Sequence, residues 1–168
     1  TAGITDNEID NAGYLYDVEG NFYKYVFIGN QTWMAENLAT TKYNNGTAIP
    51  NVTGRSEWEN LSTPAYCWYN NDESSYKDTY GALYNWYTIA EAFKLSNEVN
   101  RLCPDGWHVP TYADWSELED FISNDGHSGT VQAALKAASG WNENGTDDYG
   151  FSALPGGWVA FDNDFRQE

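Results

Sequence analysis

Leu102-Cys103-Pro104-Asp105-Gly106-Trp107-His108-Val109-Pro110-Thr111-Tyr112-Ala113-Asp114-Trp115 places a cysteine, a tight turn, an aromatic plug and a helix start within one short stretch. Pro104 presets one backbone dihedral and Gly106 accepts a positive one, so Pro104-Asp105-Gly106 reads as a turn. Thr111 is an N-cap, and Asp114 three residues on completes a Thr-x-x-Asp capping box ahead of Trp115 and Leu118. Such dense local specification marks the spine of a fold rather than a catalytic loop.

The capped segment Tyr112–Ile122 predicts a helix with Trp115, Leu118 and Ile122 on one face. Upstream, Leu83, Trp86, Ala90 and Phe93 recur at helical spacing and predict a first helix over Tyr80–Phe93. A third, short helix is expected over Thr130–Ala138, ended by Ser139-Gly140. The first third reads instead as a β-meander: Tyr14–Tyr16, the aromatic and β-branched run Phe22–Ile28, and Thr32–Met34. Residues from Pro50 to Asp78 read as loop-rich, and Trp158–Phe161 as a last strand. Strands first, helices in the middle and a strand at the end predict an α+β domain with an antiparallel sheet, two to three helices and long loops. Residues 1–12 read as a tail or linker and residues 13–168 as one domain.

At 168 residues the chain can bury a core without metals or several disulfides. Its 25 acidic and 8 basic residues leave a formal charge of −17. That surface repels phosphate backbones and anionic lipid, which excludes nucleic-acid binding and peripheral attachment to membranes. No apolar run approaches the roughly 20 residues needed to cross a bilayer, so no membrane insertion is expected in the mature chain. No leader-like segment opens the sequence, so any such segment is expected to have been removed or never present. The 8 Trp, 13 Tyr and 7 Phe argue against disorder, which is poor in such groups.

Cys67 and Cys103 allow one bridge, worth about 3–4 kcal/mol by the chain-entropy model. In a reducing compartment they would be buried thiols; an extracellular setting favours the disulfide. Neither belongs to a Cys-x-x-Cys pair, and only His108 and His127 could help them hold a metal.

Four blocks in order resemble the Fibrobacter succinogenes major paralogous domain family: Trp33-Met34-Ala35-Glu36-Asn37-Leu38, Tyr80-Gly81-Ala82-Leu83-Tyr84-Asn85-Trp86, Leu102 through Thr111, and Phe151-Ser152-Ala153-Leu154-Pro155-Gly156-Gly157. The resemblance runs from about Tyr14 onward. It implies a secreted or surface-anchored bacterial protein with no established enzymatic activity. It also implies a distant similarity to the C-type-lectin-like fold of the formylglycine-generating enzymes, where a comparable Pro-Thr-x-x-x-Trp block starts a helix. Family members usually continue into further strands with a Trp-Trp-Ser-like element. Here the expectation is that those strands are missing or supplied by another chain, leaving an unpaired sheet edge.

Asn70, Asn71, Asp72, Glu73 and Asp78 gather oxygen donors of the kind calcium takes, although the spacing is not an EF-hand. Asn142–Asp148 is a second acidic loop of similar composition; both also read as solvated turns. Trp58, Trp68, Tyr69, Trp141 and Tyr149 fall in or beside loops, where exposed rings could stack on a sugar or a protein ligand. Trp33, Trp86, Trp107 and Trp115 are expected in the core. Glu36 and Asn37 are expected to bond backbone groups, and His108 to be structural, since no Ser/His/Asp arrangement surrounds it. His127 reads as an exposed loop residue. Asn-x-Ser/Thr triplets such as Asn30-Gln31-Thr32 read as a by-product of composition.

The expected function is a non-catalytic extracellular or cell-surface bacterial module for adhesion or ligand binding, its partner a surface glycan or protein. Two alternatives stand beside it: a structural subunit that self-assembles by strand exchange, and a diverged enzyme of the formylglycine-generating fold. Convergence of His108, Glu36 and a free sulfur on one cavity would favour the enzyme.

Overall fold

Two apolar clusters organise the chain, and one small sheet contributes to both. The structure, a computed structural model, describes residues 12–92, 101–159 and 165–166. In chain order its elements are strands β1 (Ala12–Tyr16), β2 (Phe22–Ile28) and β3 (Gln31–Met34), helix α1 (Arg55–Glu59), strand β4 (Tyr66–Cys67), helix α2 (Glu73–Tyr80), strand β5 (Leu83–Tyr84), helices α3 (Trp86–Ala92), α4 (Tyr112–Ile122) and α5 (Val131–Leu135), and strands β6 (Trp158–Val159) and β7 (Phe165–Arg166). The α+β class holds among the described residues, as small antiparallel sheets with five α-helices.

β1, β2 and β3 form an antiparallel meander in that order. The Asp17 carboxylate makes the first turn by accepting the N–H groups of Glu19 and Asn21 at 2.9 and 3.0 Å and the Tyr23 hydroxyl at 2.7 Å. Gly29, at φ +60°, shares the second turn with Asn30. Successive strand side chains point to opposite faces, so Tyr23 and Val26 lie on different sides of β2. Leu15 and Tyr23 join Tyr43, Ile49, Tyr66, Trp68 and Leu102 in the first cluster. Val26, Ile28 and Trp33 join Leu118, Ile122 and Ala134 in the second.

α4 occupies Tyr112–Ile122 as the cap signals specify, and both halves of the Thr111/Asp114 capping box form. Leu118 and Ile122 are 0% exposed. A widened helical turn, Ser123–His127, leads from α4 towards α5. α5 is shorter than the expected Thr130–Ala138 and buries Ala134.

The stretch between Pro50 and Asp78 is not loop throughout. It holds α1, β4 and most of α2, with Asp72 accepting the Ser75 N–H at 3.1 Å as N-cap. The helix expected over Tyr80–Phe93 is also divided. α2 stops at Tyr80, Gly81 turns the chain at φ +65°, β5 pairs with β4, and α3 starts at Trp86. Helical periodicity yields here to backbone pairing: Ala82 donates to the Leu38 carbonyl at 2.9 Å and Asn85 to that of Ala65 at 3.1 Å. A Cβ on Gly81 would lie 2.5 Å from the Leu38 oxygen, so only glycine permits the approach. Trp86 is consequently 69% exposed, not a core residue. Of the expected strand Trp158–Phe161, Trp158–Val159 pairs with β7; residues 160 and 161 lie outside the described residues, as do residues 1–11 of the tail and Phe93.

Candidate functional site

A broad open trough of about 2240 Å³ lies between the meander and the loops around α4. Its volume is well above the roughly 300–1,000 Å³ of small-molecule sites. Trp33, Met34 and Asn37 border it from the meander side, Trp107 and His108 from the turn before α4, and Phe151 from the last family block. The Trp33 and Trp115 rings lie 4.7 Å apart, with Phe151 at 5.9 and 6.2 Å from them. Trp33 is buried, whereas Trp115 is 39% exposed rather than sunk in the core. Trp107 is half-buried, packed against the first cluster and 5.7 Å from Tyr25.

Glu36, Cys103 and His108 all border this trough. Each is engaged in a structural role. Glu36 Oε2 accepts the Lys24 N–H at 2.6 Å. His108 Nε2 faces Asp114 Oδ2 at 3.2 Å. Burial pushes the Cys103 thiol up to about 11, so it is not a thiolate at neutral pH. Among the described residues no three His, Cys, Asp or Glu side chains gather as metal ligands. Asn37 Nδ2 donates to the Tyr80 carbonyl at 3.1 Å and ties the meander to the end of α2.

The cysteines correct the bridged expectation: Cys67 and Cys103 are separate free thiols, both buried. Cys67 sits in β4 opposite Leu83, and burial raises its thiol to about 12. Cys67 is held in the β4–β5 pair and Cys103 follows Leu102 of the first cluster; with 2% and 9% exposure, each acts as a small apolar residue.

The five aromatic residues singled out from the sequence do not form one surface, and none borders the trough. Trp68 and Tyr69 are buried, 2% and 8% exposed. The Trp68 ring packs edge-on to Tyr66 at 5.3 Å, and Tyr69 packs against Tyr76 and Phe165 at 5.0 and 5.3 Å. Half-buried Trp58 lines a small recess of about 80 Å³ with Cys67 and Phe165. Trp141 donates its indole N–H to the Ala153 carbonyl at 2.7 Å, with Lys136 Nζ 4.5 Å above its ring. The Tyr149 hydroxyl donates to Asp125 Oδ2 at 2.8 Å, and its ring meets that of His127, which is half-buried, at 5.6 Å.

The oxygen donors proposed for calcium mostly serve local structure. Asn70 and Asn71 take left-handed backbone, at φ 52° and 55°, and Asn71 Nδ2 donates to the Thr53 carbonyl. Asp72 caps α2, Glu73 pairs with Lys77 at 3.1 Å, and exposed Asp78 stands on the rim of the trough. In the second acidic loop Asp147 accepts the Ser152 N–H and hydroxyl at 2.7 and 2.6 Å, and Asp148 faces His127 Nδ1 at 3.7 Å.

Sequence reasoning assigned no role to Tyr14, Tyr16 and Phe22, which are exposed together on the β1–β2 hairpin. Their rings lie 6.0 and 6.5 Å apart through Phe22. The alternation that places Tyr16 opposite Phe22 was the available signal.

The chain matches no curated protein and no solved structure at a significant level. The sequence model of the Fibrobacter succinogenes major domain matches residues 26–168. The match takes in all four motif blocks, the last three residues of β2 and the whole of β3, and the chain belongs to that family.

Proposed function

We propose that this domain is a non-catalytic binding module acting outside the cytoplasm, at or beyond a bacterial cell surface, in adhesion or ligand capture. The trough carries the reading. Its size suits a segment of a macromolecule, and Trp115 and Phe151, packed over buried Trp33, offer apolar contact area beside polar rims. Glu36, His108 and the free thiol Cys103 border the same trough, the convergence that would favour the enzyme alternative; against it, the bonds of Glu36 to Lys24 and of His108 to Asp114 and the burial of Cys103 support a binding function. The composition and the family resemblance support the location. The Pro110-Thr111-Tyr112-Ala113-Asp114-Trp115 helix start supports placing the α+β arrangement in the C-type-lectin-like class.

Glycan arrays and pull-downs from bacterial surface extracts test the reading, with Trp115→Ala as the matched variant. Retention of a glycan or surface protein by the native chain, weakened in the variant, is expected. Clean negatives on both, with measurable turnover of a substrate, would overturn it.

A further inference from the structure

We propose that the trough captures an extended segment of a different polypeptide as an added strand on β3. The captured strand would be neutral to basic, with bulky apolar side chains at alternate positions. The inference rests on the binding-module reading and narrows its ligand from any macromolecule to a β-strand.

The register of the meander exposes the docking groups. Ile28 faces Gln31 across the two-residue turn, Val26 faces Trp33, and the Ala35 N–H reaches the Lys24 carbonyl at 2.9 Å. In an antiparallel pair, residues that exchange both hydrogen bonds alternate with residues that exchange none. Ile28–Gln31, Val26–Trp33 and Lys24–Ala35 share one phase, so Thr32 and Met34 fall in the other. Their peptide N–H and C=O groups point away from β2. Among the described residues no strand lies beyond β3, and neither residue makes a backbone bond elsewhere. A row of outward peptide groups is the template on which strand addition works.

The trough borders this edge as well as residues of β1 and β2. Nine consecutive residues, Gln31 to Ala39, border it. Beside the edge stand Trp115 and Phe151, packed over buried Trp33, and their exposed parts would flank every second side chain of an incoming strand.

Charge selects the partner. A second copy would bring −17 against −17, so like-charge repulsion disfavours strand exchange between copies. On the rim the carboxylates of Glu36, Asp78 and Asp114 outnumber the ammonium groups of Lys24 and Lys77. Both observations favour a neutral or basic strand from another protein.

The test uses the full chain and fluorescent peptides of about eight residues, a typical strand length. One alternates Val and Thr with a lysine at each end; a second carries glutamates at the ends; a third has a central proline, which removes a donor. Anisotropy should show the lysine-ended peptide bound and each of the others weaker by about tenfold or more. Amide hydrogen exchange at Thr32 and Met34 should slow on binding. Thr32→Pro removes an outward N–H without touching the bonds to β2, as edge proline does, and should abolish capture, while Thr32→Ala should not. If Thr32→Pro fails to fold, the proline peptide probes the same bonds from the ligand side. Absence of binding by every peptide at millimolar concentration, or binding that leaves the Thr32 and Met34 amides unchanged, overturns the inference. A glycan that binds at Trp115 while the peptides do not would overturn the strand and leave the binding module standing. Turnover without any binding overturns both.

Discussion

Asp114 Oδ2 stands 3.2 Å from His108 Nε2 while accepting the hydroxyl and the N–H of Thr111, each at 2.7 Å. One carboxylate thereby closes the first turn of α4 and tethers the histidine on the trough rim. The Thr111 hydroxyl first, then the Thr111 N–H and His108, hold its pKa down to about 2. His108 therefore has a structural partner, although its side chain is 69% exposed to the trough.

Loss of the cap should weaken the domain measurably. Thr111→Ala removes both the side-chain acceptor for Asp114 N–H and a donor to its carboxylate, and should cost about 0.5–2 kcal/mol. Urea unfolding followed by tryptophan fluorescence should show a lower midpoint with an unchanged slope. An unaltered midpoint would mean that the box is not formed in solution.

Acid should erode stability through the same carboxylate. A folded acidity of about 2 against an ordinary 3.8 gives Asp114 a contribution that is complete above pH 4 and lost as pH falls towards 2. Glu19 acts in the same direction. Burial opposes its ionisation, but hydrogen bonds from the Thr41 N–H and hydroxyl and from Thr40, with Lys42 nearby, outweigh that and lower it. Unfolding free energy measured between pH 5 and pH 2 should fall steeply, and less steeply in Asp114→Asn. Parallel curves for the two proteins would contradict the tether.

The cysteines should behave as inert core thiols. Burial raises Cys67 to about 12 and Cys103 to about 11, so neither offers thiolate at pH 8. Ellman's reagent should titrate no thiol in the native chain and both after denaturation. Detection by mass spectrometry of a Cys67–Cys103 cross-linked peptide would refute this.

Two substitutions separate core from surface. Leu118→Ala opens a cavity at a fully buried site in the second cluster and should cost about 2–5 kcal/mol. Trp86→Ala, at an exposed helix start, should stay within about 0.5 kcal/mol of the native chain. Equal thermal shifts in calorimetry would place Trp86 back in the core.

Legibility followed distance along the chain. The α4 start was readable because Thr111 and Asp114 lie three residues apart and bond each other whatever surrounds them. The break at Gly81 was hidden, because what stops the helix is the Leu38 carbonyl, on a segment more than forty residues upstream. Trp68 and Tyr69 read as loop aromatics and are buried, because Tyr66, Tyr76 and Phe165 close around them. The trough had no local signature at all: its walls come from the meander, the turn before α4 and the last motif block.

From its residues alone the chain was bound to an acidic, ordered α+β domain with a strand meander and a capped Tyr112–Ile122 helix. Turn dihedrals, caps and alternation act within a few residues, so they survive in any surroundings. Tertiary packing decided that β2 feeds two cores, that the thiols are buried and unbridged, that Trp86 faces solvent and that, among the described residues, no strand lies beyond β3. Burial and strand pairing depend on partners brought together from distant segments, and those partners exist only once the chain has folded.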